Sequence, residues 1–392
     1  MIETLAIENY RSLRHLVVPL TPLTVVTGAN GAGKSSLYRA LRLLADAARN
    51  GAVAALAREG GLPSTLWAGP EKIGRAVKEG IYPVQPTART QVVSLRLGFG
   101  GDDFGYLIDF GLPTGGGGAF TLDPEIKRER IWRGPVLKPA ATLCERDNGI
   151  VRIRGEGRAW SEGHKIELFD SMLSEFADPR QAPEVLRVRE QIRSWRFYDH
   201  FRTDVNAPAR ASQIGTRTPV MSHDGSDVAA ALQTIREIGD GAALDAAIDL
   251  AFPGSRIGTA DEGGGRLGLR LHQHGLLRPL GAAELSDGTL RYLLWAAALL
   301  APRPAGLVVL NEPETSLHWQ LLVPLAQLII AAAGSSQVIV VSHSQALVNA
   351  LHRSSQESGI RADVIELVKD FGETHVNGQA PLDEPSWHWP KR

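Results

Sequence analysis

Cysteine is nearly missing from these 392 residues, Cys144 being the only one. No disulfide can form within the chain, which excludes the small secreted scaffolds that depend on them. Long apolar runs are missing too. The most apolar stretch, YLLWAAALLA at 292–301, is about ten residues long and stops at Pro302, whereas a membrane-spanning helix needs roughly 20. No membrane partner is therefore expected. The opening MIETLAIENYRSL carries neither the basic start nor the apolar core of a secretory signal, and with the lone thiol this points to a reducing cytoplasm. Nor is there an excess of either charge: 42 Lys and Arg stand against 43 Asp and Glu, a net charge of -1. Any nucleic-acid surface must then be local, because sequence-independent binding rests on many cationic contacts to phosphate. Repeats of 20 to 50 residues and sustained heptads are absent, which excludes a solenoid and a long coiled-coil arm.

What is present, 43% apolar and 22% charged residues, is the balance of a globular protein with a sizeable core. The N-terminal part reads as a strand with Leu5 and Ile7 alternating, then a second apolar run ending in a Gly-rich turn. A helical pattern follows from Lys34 to about Ala48, with Leu37, Leu41 and Leu44 on one face. VVSLRLGFGGDDFGYLIDFGL at 92–112 predicts a β-hairpin about a Gly-Asp turn. Short strands are expected near Arg130 to Trp132 and Val151 to Ile153, and flexible loops at 115–118 and 263–265. Residues 161–255 read as a helix-rich inserted lobe, with helical periodicity in IELFDSMLSEF and DVAAALQTIREI. It divides the N-terminal part, 1–160, from a C-terminal part, 256–392. The latter alternates helix and strand: a helix to about Leu300, a buried strand at 306–310, a helix from about His318, and the strand QVIVVS. The expected fold is α/β, a mostly parallel sheet flanked by helices, with an antiparallel β subdomain and the inserted lobe.

The chemistry begins at GANGAGKS, residues 28–35. Gly, four residues, Gly, Lys and Ser between a strand and a helix is the phosphate-loop pattern. Backbone N–H groups from Asn30 through Gly31, Ala32, Gly33 and on to Ser36 face an anion at a helix N-terminus. Lys34 adds charge for the terminal phosphates, and the Ser35 hydroxyl can ligate Mg²⁺. One such match is expected by accident in only about one to two chains of this length per hundred.

Three further segments follow in order. LSDGT at 285–289 opens a helix and resembles the LSGGQ-type signature of ABC ATPases. LVVLNEPETSLH at 307–318 is similar to their Walker B strand and D-loop, and QVIVVSHS sets His343 just past a strand, at the position of their switch histidine. The set, with the opening IENYRSL, resembles the RecF/SMC/OLD-like branch of that superfamily over residues 1–50 and 280–345. The resemblance implies ATP and Mg²⁺ as ligands, Glu312 activating the attacking water, and His343 beside the γ-phosphate. It also implies Ser286, Asp287 and Gly288 completing the site of a second copy in a head-to-tail dimer. Turnover is expected to be slow, because Asn311 stands where the branch carries its Mg²⁺-organising aspartate: a neutral amide, whose oxygen can still accept from a metal-bound water, should hold Mg²⁺ more weakly without excluding it. No residue marks the glutamine of the Q-loop: Gln85, Gln91 and Gln191 all lack a distinctive setting. The long span between Ser35 and Leu285 argues against a transporter.

The branch suggests DNA repair, genome maintenance or defence against phage, acting on DNA or on a separately encoded effector. The DNA candidate is residues 187–217, from Arg187 to Arg217, where seven arginines alternate with Trp195, Phe197, Tyr198 and Phe201. Such interleaving suits stacking on bases; the other reading has the aromatics packed inward and the arginines solvated or paired. An ATP-sensing scaffold with little turnover is the second functional reading. A built-in nuclease is the third, and too little chain follows His343 to hold one.

Overall fold

The computed structural model describes the chain except for residues 50, 72–91, 114–119, 156–158, 177, 381 and 392. Gln85, Gln91 and the glycine run at 115–118 lie outside the described residues. Two compact units are present: unit 1 comprises Met1–Leu20, Thr27–Trp195 and Ile365–Arg392, and unit 2 comprises Thr21–Val26 and Arg196–Val364. The 161–255 segment contributes to both.

Unit 1 is built on an antiparallel sheet of β1 (Ile2–Tyr10), β2 (Leu13–Pro19), β4 (Leu95–Gly101), β5 (Phe104–Gly111), β6 (Glu125–Arg133), β7 (Thr142–Asp147), β8 (Ile150–Ile153) and β9 (His164–Lys165), in the order β2-β1-β4-β5-β6-β7-β8-β9. The hairpin expected at 92–112 is β4 and β5, and the two short strands lie within β6 and β8. The end of β1 and the turn after it explain the sequence ENYR: Asn9 (φ 61°), still within the strand, and Arg11 (φ 52°) hold left-handed backbone, which Asn tolerates better than most residues. Helix α1 (Lys34–Ala47) buries Leu37, Leu41 and Leu44, the stripe seen in the sequence. Helices α2 (Ala52–Arg58), α3 (Leu62–Thr65), α4 (Met172–Glu175) and α5 (Pro183–Arg193) complete the unit, with an antiparallel pair formed by β17 (Ala362–Asp370) and β18 (Glu373–Val376).

The helix expected in IELFDSMLSEF is confined to the four residues of α4. Backbone groups that would have continued it are engaged by a buried ion pair. Arg146 and Glu129, both with fully buried side chains, lie 2.8 Å apart. Arg146 donates to the carbonyls of Glu167 (2.9 Å) and Asp170, while Glu129 accepts from the Met172 N–H at 2.8 Å. Helical periodicity is present in the letters, but the buried pair, whose charges must be met by hydrogen bonds, takes these backbone groups.

Unit 2 carries the parallel sheet, in the order β10 (Arg196–Tyr198), β15 (Leu307–Asn311), β16 (Gln337–Val341), then the first residues of β3 (Leu23–Gly28). Leu307, Val309, Leu310, Val338, Ile339 and Val340 are fully buried, as expected for strands covered on both faces. Helices α6 (Val228–Ile238), α7 (Gly241–Ala251), α8 (Asp287–Leu299), α9 (Leu322–Ala333) and α10 (Gln345–Ser358) belong to this unit, as does a small antiparallel sheet of β11 (Gln213–Ile214), β13 (Arg266–His272), β12 (Arg256–Asp261) and β14 (Leu280–Gly281). The glycines at 263–265 form the β12–β13 turn, all at positive φ. Helix α8 is buried at every position from Leu290 to Leu299, which accounts for the apolar run at 292–301 as an interior helix.

The base-stacking reading of residues 187–217 does not survive. Trp195, Tyr198 and Phe201 are each 1% exposed and Phe197 8%. Phe201 and Trp295 of α8 meet edge to face at 4.7 Å, and Trp195 meets Phe99 at 5.4 Å. The aromatics are core, and rings buried this far cannot stack on bases.

Candidate nucleotide site

The phosphate loop lies between β3 and α1 in unit 1. Gly28 (φ 141°), Gly31 (φ 80°) and Gly33 (φ 109°) all hold backbone that disfavours side chains. At Gly33 there is also no room, since a Cβ there would collide with Thr374 of β18. Thr374 is fully buried, and its hydroxyl lies 2.8 Å from the Ala32 carbonyl and 2.9 Å from the Ser12 hydroxyl. The β17–β18 pair therefore braces the loop from outside it.

Lys34 is 7% exposed, and its Nζ donates to the carbonyls of Gly28 at 2.6 Å and Ala29 at 3.1 Å. These hydrogen bonds fold the ammonium over the loop. Ala29, Asn30, Gly31 and Ser35 are exposed, and Ser36 is half-buried. No acidic side chain occupies the first turn of α1, so the positive end of its macrodipole is left for an anion.

Unit 2 brings Asn311, Glu312 and His343 together. Asn311 ends β15, and Glu312 follows with φ 49°, its N–H bonded to the Val341 carbonyl at 2.8 Å. A non-glycine residue in this region costs on the order of 1–3 kcal/mol, and such strain concentrates where a side chain has a task. His343 Nδ1 lies 3.5 Å from Glu312 Oε1 and 3.7 Å from Glu314 Oε1.

Glu314 is a residue the sequence reading passed over. It is 8% exposed, takes a 2.6 Å hydrogen bond from the Ser342 hydroxyl and a 3.3 Å one from the His343 N–H, and leaves Oε2 buried without a partner. The repeated acid in NEPE was the available signal. Asn311 Nδ2 in turn lies 3.4 Å from Asp199 Oδ1, just past β10.

The signature segment sits at the start of α8. Ser286 is exposed and caps the helix, its hydroxyl accepting from the Thr289 N–H at 3.2 Å. Asp287 would repel a phosphate there, but Arg210 pairs with it at 2.8 Å and also donates to the carbonyls of Ala282 and Leu285. Gly288 is half-buried, and α8 is joined to the loop after Glu312 by Arg291, which donates to the Thr315 carbonyl at 2.6 Å. Burial lowers the Arg291 pKa, with Asp287 opposing. Gln191 lies in α5, among the half-buried positions of that helix.

A phosphate-loop sequence, a strand-terminal acid beside a histidine, and a helix-opening serine fit a P-loop ATPase of ABC type and of the RecF/SMC/OLD-like kind. The chain belongs to the family described as "AAA domain, putative AbiEii toxin, Type IV TA system", whose model matches residues 23–349. It is similar to an OLD nuclease of Thermus scotoductus, 43% identical over 44 residues, which are 11% of this chain and 8% of that protein. The match thus spans a small fraction of that relative's length. The fold is similar to that of an Smc head bound to the C-terminal winged-helix domain of ScpA, with a TM-score of 0.50 at 15% identity, covering 96% of this chain and 97% of that one. No described helix is long and apolar enough to cross a membrane.

Proposed function

We propose that the protein binds ATP with Mg²⁺, hydrolyses it slowly, and pairs with a second copy of itself while ATP is bound. In this reading the backbone from Asn30 to Ser36 and the Lys34 ammonium hold the phosphates, and Glu312 orients the attacking water. His343, steadied by Glu314, contacts the terminal phosphate. The observation that carries the proposal is the strained Glu312, held at the end of a parallel strand beside His343. Phosphoryl transfer needs positioning and charge more than covalent chemistry, and one well-placed carboxylate suffices as base.

Mg²⁺ fits the donors present. The exposed Ser35 hydroxyl and the Asn311 amide are neutral oxygen donors of the kind this ion accepts, and it keeps much of its shell from water and phosphate. Among the described residues no group of three or more His, Cys, Asp or Glu could by itself hold a metal, so the nucleotide would supply the rest. When bound, Mg²⁺ supplies charge neutralisation at the phosphates.

Ser286 and Gly288, exposed and half-buried at a helix start, have a role if they complete a neighbour's site. That arrangement is a C₂ dimer with two equivalent sites. Sedimentation velocity with ATP and Mg²⁺ tests it: the Glu312→Gln variant should sediment as a dimer, and a monomer at every concentration would refute the pairing. The proposed setting is DNA repair, genome maintenance or defence against phage, the last favoured by the toxin–antitoxin description of the family. The target is DNA or a separately encoded effector, and DNA would meet residues 187–217 only through exposed arginines such as Arg187 and Arg202. The second reading, an ATP-sensing scaffold with little turnover that regulates an effector such as a nuclease, draws on the neutral Asn311.

A further inference from the structure

We infer that Asp199 supplies the negative charge that Asn311 lacks, so that two adjacent strand ends together do the work usually given to one aspartate. The inference rests on the ATP-and-Mg²⁺ reading above and assigns a positioning residue within it.

Strand register places the two side by side. Arg196, Phe197 and Tyr198 of β10 pair in parallel with Val308, Val309 and Leu310 of β15, so the next residues, Asp199 and Asn311, are level at the same end of the sheet. Level residues on neighbouring strands direct their side chains to the same face. The 3.4 Å approach of Asn311 Nδ2 to Asp199 Oδ1 follows from that register. An ionised carboxylate can only accept, so its neighbour must present the NH₂ side of the amide. The amide oxygen is thereby turned away from Asp199 and left to accept from another donor, such as a metal-bound water. Between them the two side chains carry one formal negative charge, that of a single aspartate, set on the strand beside Asn311.

Both residues are half-buried, where a charge is screened less than at the surface. Asn311→Asp alone would set two carboxylates side by side, two like charges at one place. A charge in the neighbouring strand therefore accounts for the neutral residue in β15: the two positions hold one acid between them.

Binding of radiolabelled ATP to the purified full chain, measured against free Mg²⁺ at fixed ATP, tests the assignment without reference to turnover. Wild type, Asp199→Asn and the exchange Asp199→Asn/Asn311→Asp are compared. Partners in a metal's outer shell are typically worth about 10–100-fold in metal affinity, so Asp199→Asn should raise the Mg²⁺ midpoint about tenfold or more. The exchange, which restores one carboxylate to the pair, should return it to within about threefold of wild type. A merely structural Asp199 would leave the midpoint unmoved. If Asp199→Asn does not fold, the exchange carries the test, and a midpoint tenfold above wild type there overturns the inference. An unchanged midpoint in Asp199→Asn, with wild type Mg²⁺-dependent, also overturns it while sparing the ATPase reading. A wild type that binds no ATP, or binds it without regard to Mg²⁺, overturns both.

Discussion

Thr374→Val should loosen the phosphate loop without touching it in sequence. Valine keeps the volume and branching of threonine, so packing against Gly33 is preserved and only the hydroxyl is lost. That hydroxyl bridges the Ala32 carbonyl at 2.8 Å and the Ser12 hydroxyl at 2.9 Å, at a residue with no exposed surface. Leaving a buried polar group unsatisfied costs about 1–3 kcal/mol. Water can reach the half-buried Ser12 but not as readily the buried Ala32, so one such penalty is expected in full and the second in part, roughly 2–3 kcal/mol in total. Each 1.4 kcal/mol of that which falls on ordering the loop appears as about a tenfold loss of ATP affinity. Thr374→Ser is the control: it keeps the hydroxyl and removes one methyl, worth about 1 kcal/mol, and should bind ATP within about twofold of wild type. Chemical denaturation and equilibrium ATP binding read the two quantities. If Thr374→Val matched Thr374→Ser in both, the loop would not depend on this brace and the reasoning would be refuted.

Other perturbations separate structure from chemistry. Glu312→Gly should raise stability by about 1 kcal/mol, since glycine accepts a φ of 49° without strain, while hydrolysis is lost; a destabilised variant would mean that Glu312 is not strained. Arg210→Ala should weaken ATP-dependent pairing by about tenfold or more, because it frees Asp287 and the carbonyls of Ala282 and Leu285, with ATP binding by the monomer retained. Equal loss of both would place Arg210 in general stability instead. Cys144 is fully buried, and burial, aided by the charge of Glu184, pushes its thiol up to about 12. Iodoacetamide at neutral pH should therefore label it only as fast as the protein opens, and immediate labelling would contradict that.

Much of this was legible because the chemistry is encoded locally. A phosphate loop needs glycines at fixed spacing for backbone reasons, and Lys34, Glu312 and His343 each follow directly on a strand or turn that announces itself by apolar runs. The parts that were not legible depend on contacts distant in sequence. Thr374 lies 342 residues from Ala32, and Asp199 lies 112 from Asn311; no local pattern relates either pair. The strand β10 is three residues long and sits in an arginine-rich segment, so its aromatics read equally well as a stacking surface. Their burial against Trp295 and Phe99 decided between the readings. Glu314 was missed for a different reason: an acid two residues from the proposed base Glu312 looks redundant until its buried bonds to Ser342 and His343 are seen. The helix expected around residue 170 failed because a buried guanidinium can claim carbonyls that periodicity alone assigns to a helix.

The central claim is that Glu312 acts as base in a slow but real ATPase. Single-turnover phosphate release from ATP by wild type, with Glu312→Gln and Lys34→Ala alongside, tests it most directly. The account predicts measurable release by wild type, none above background for Glu312→Gln although it still binds ATP, and neither binding nor release for Lys34→Ala. Wild type no faster than Glu312→Gln would contradict it and leave the nucleotide-sensing scaffold as the function.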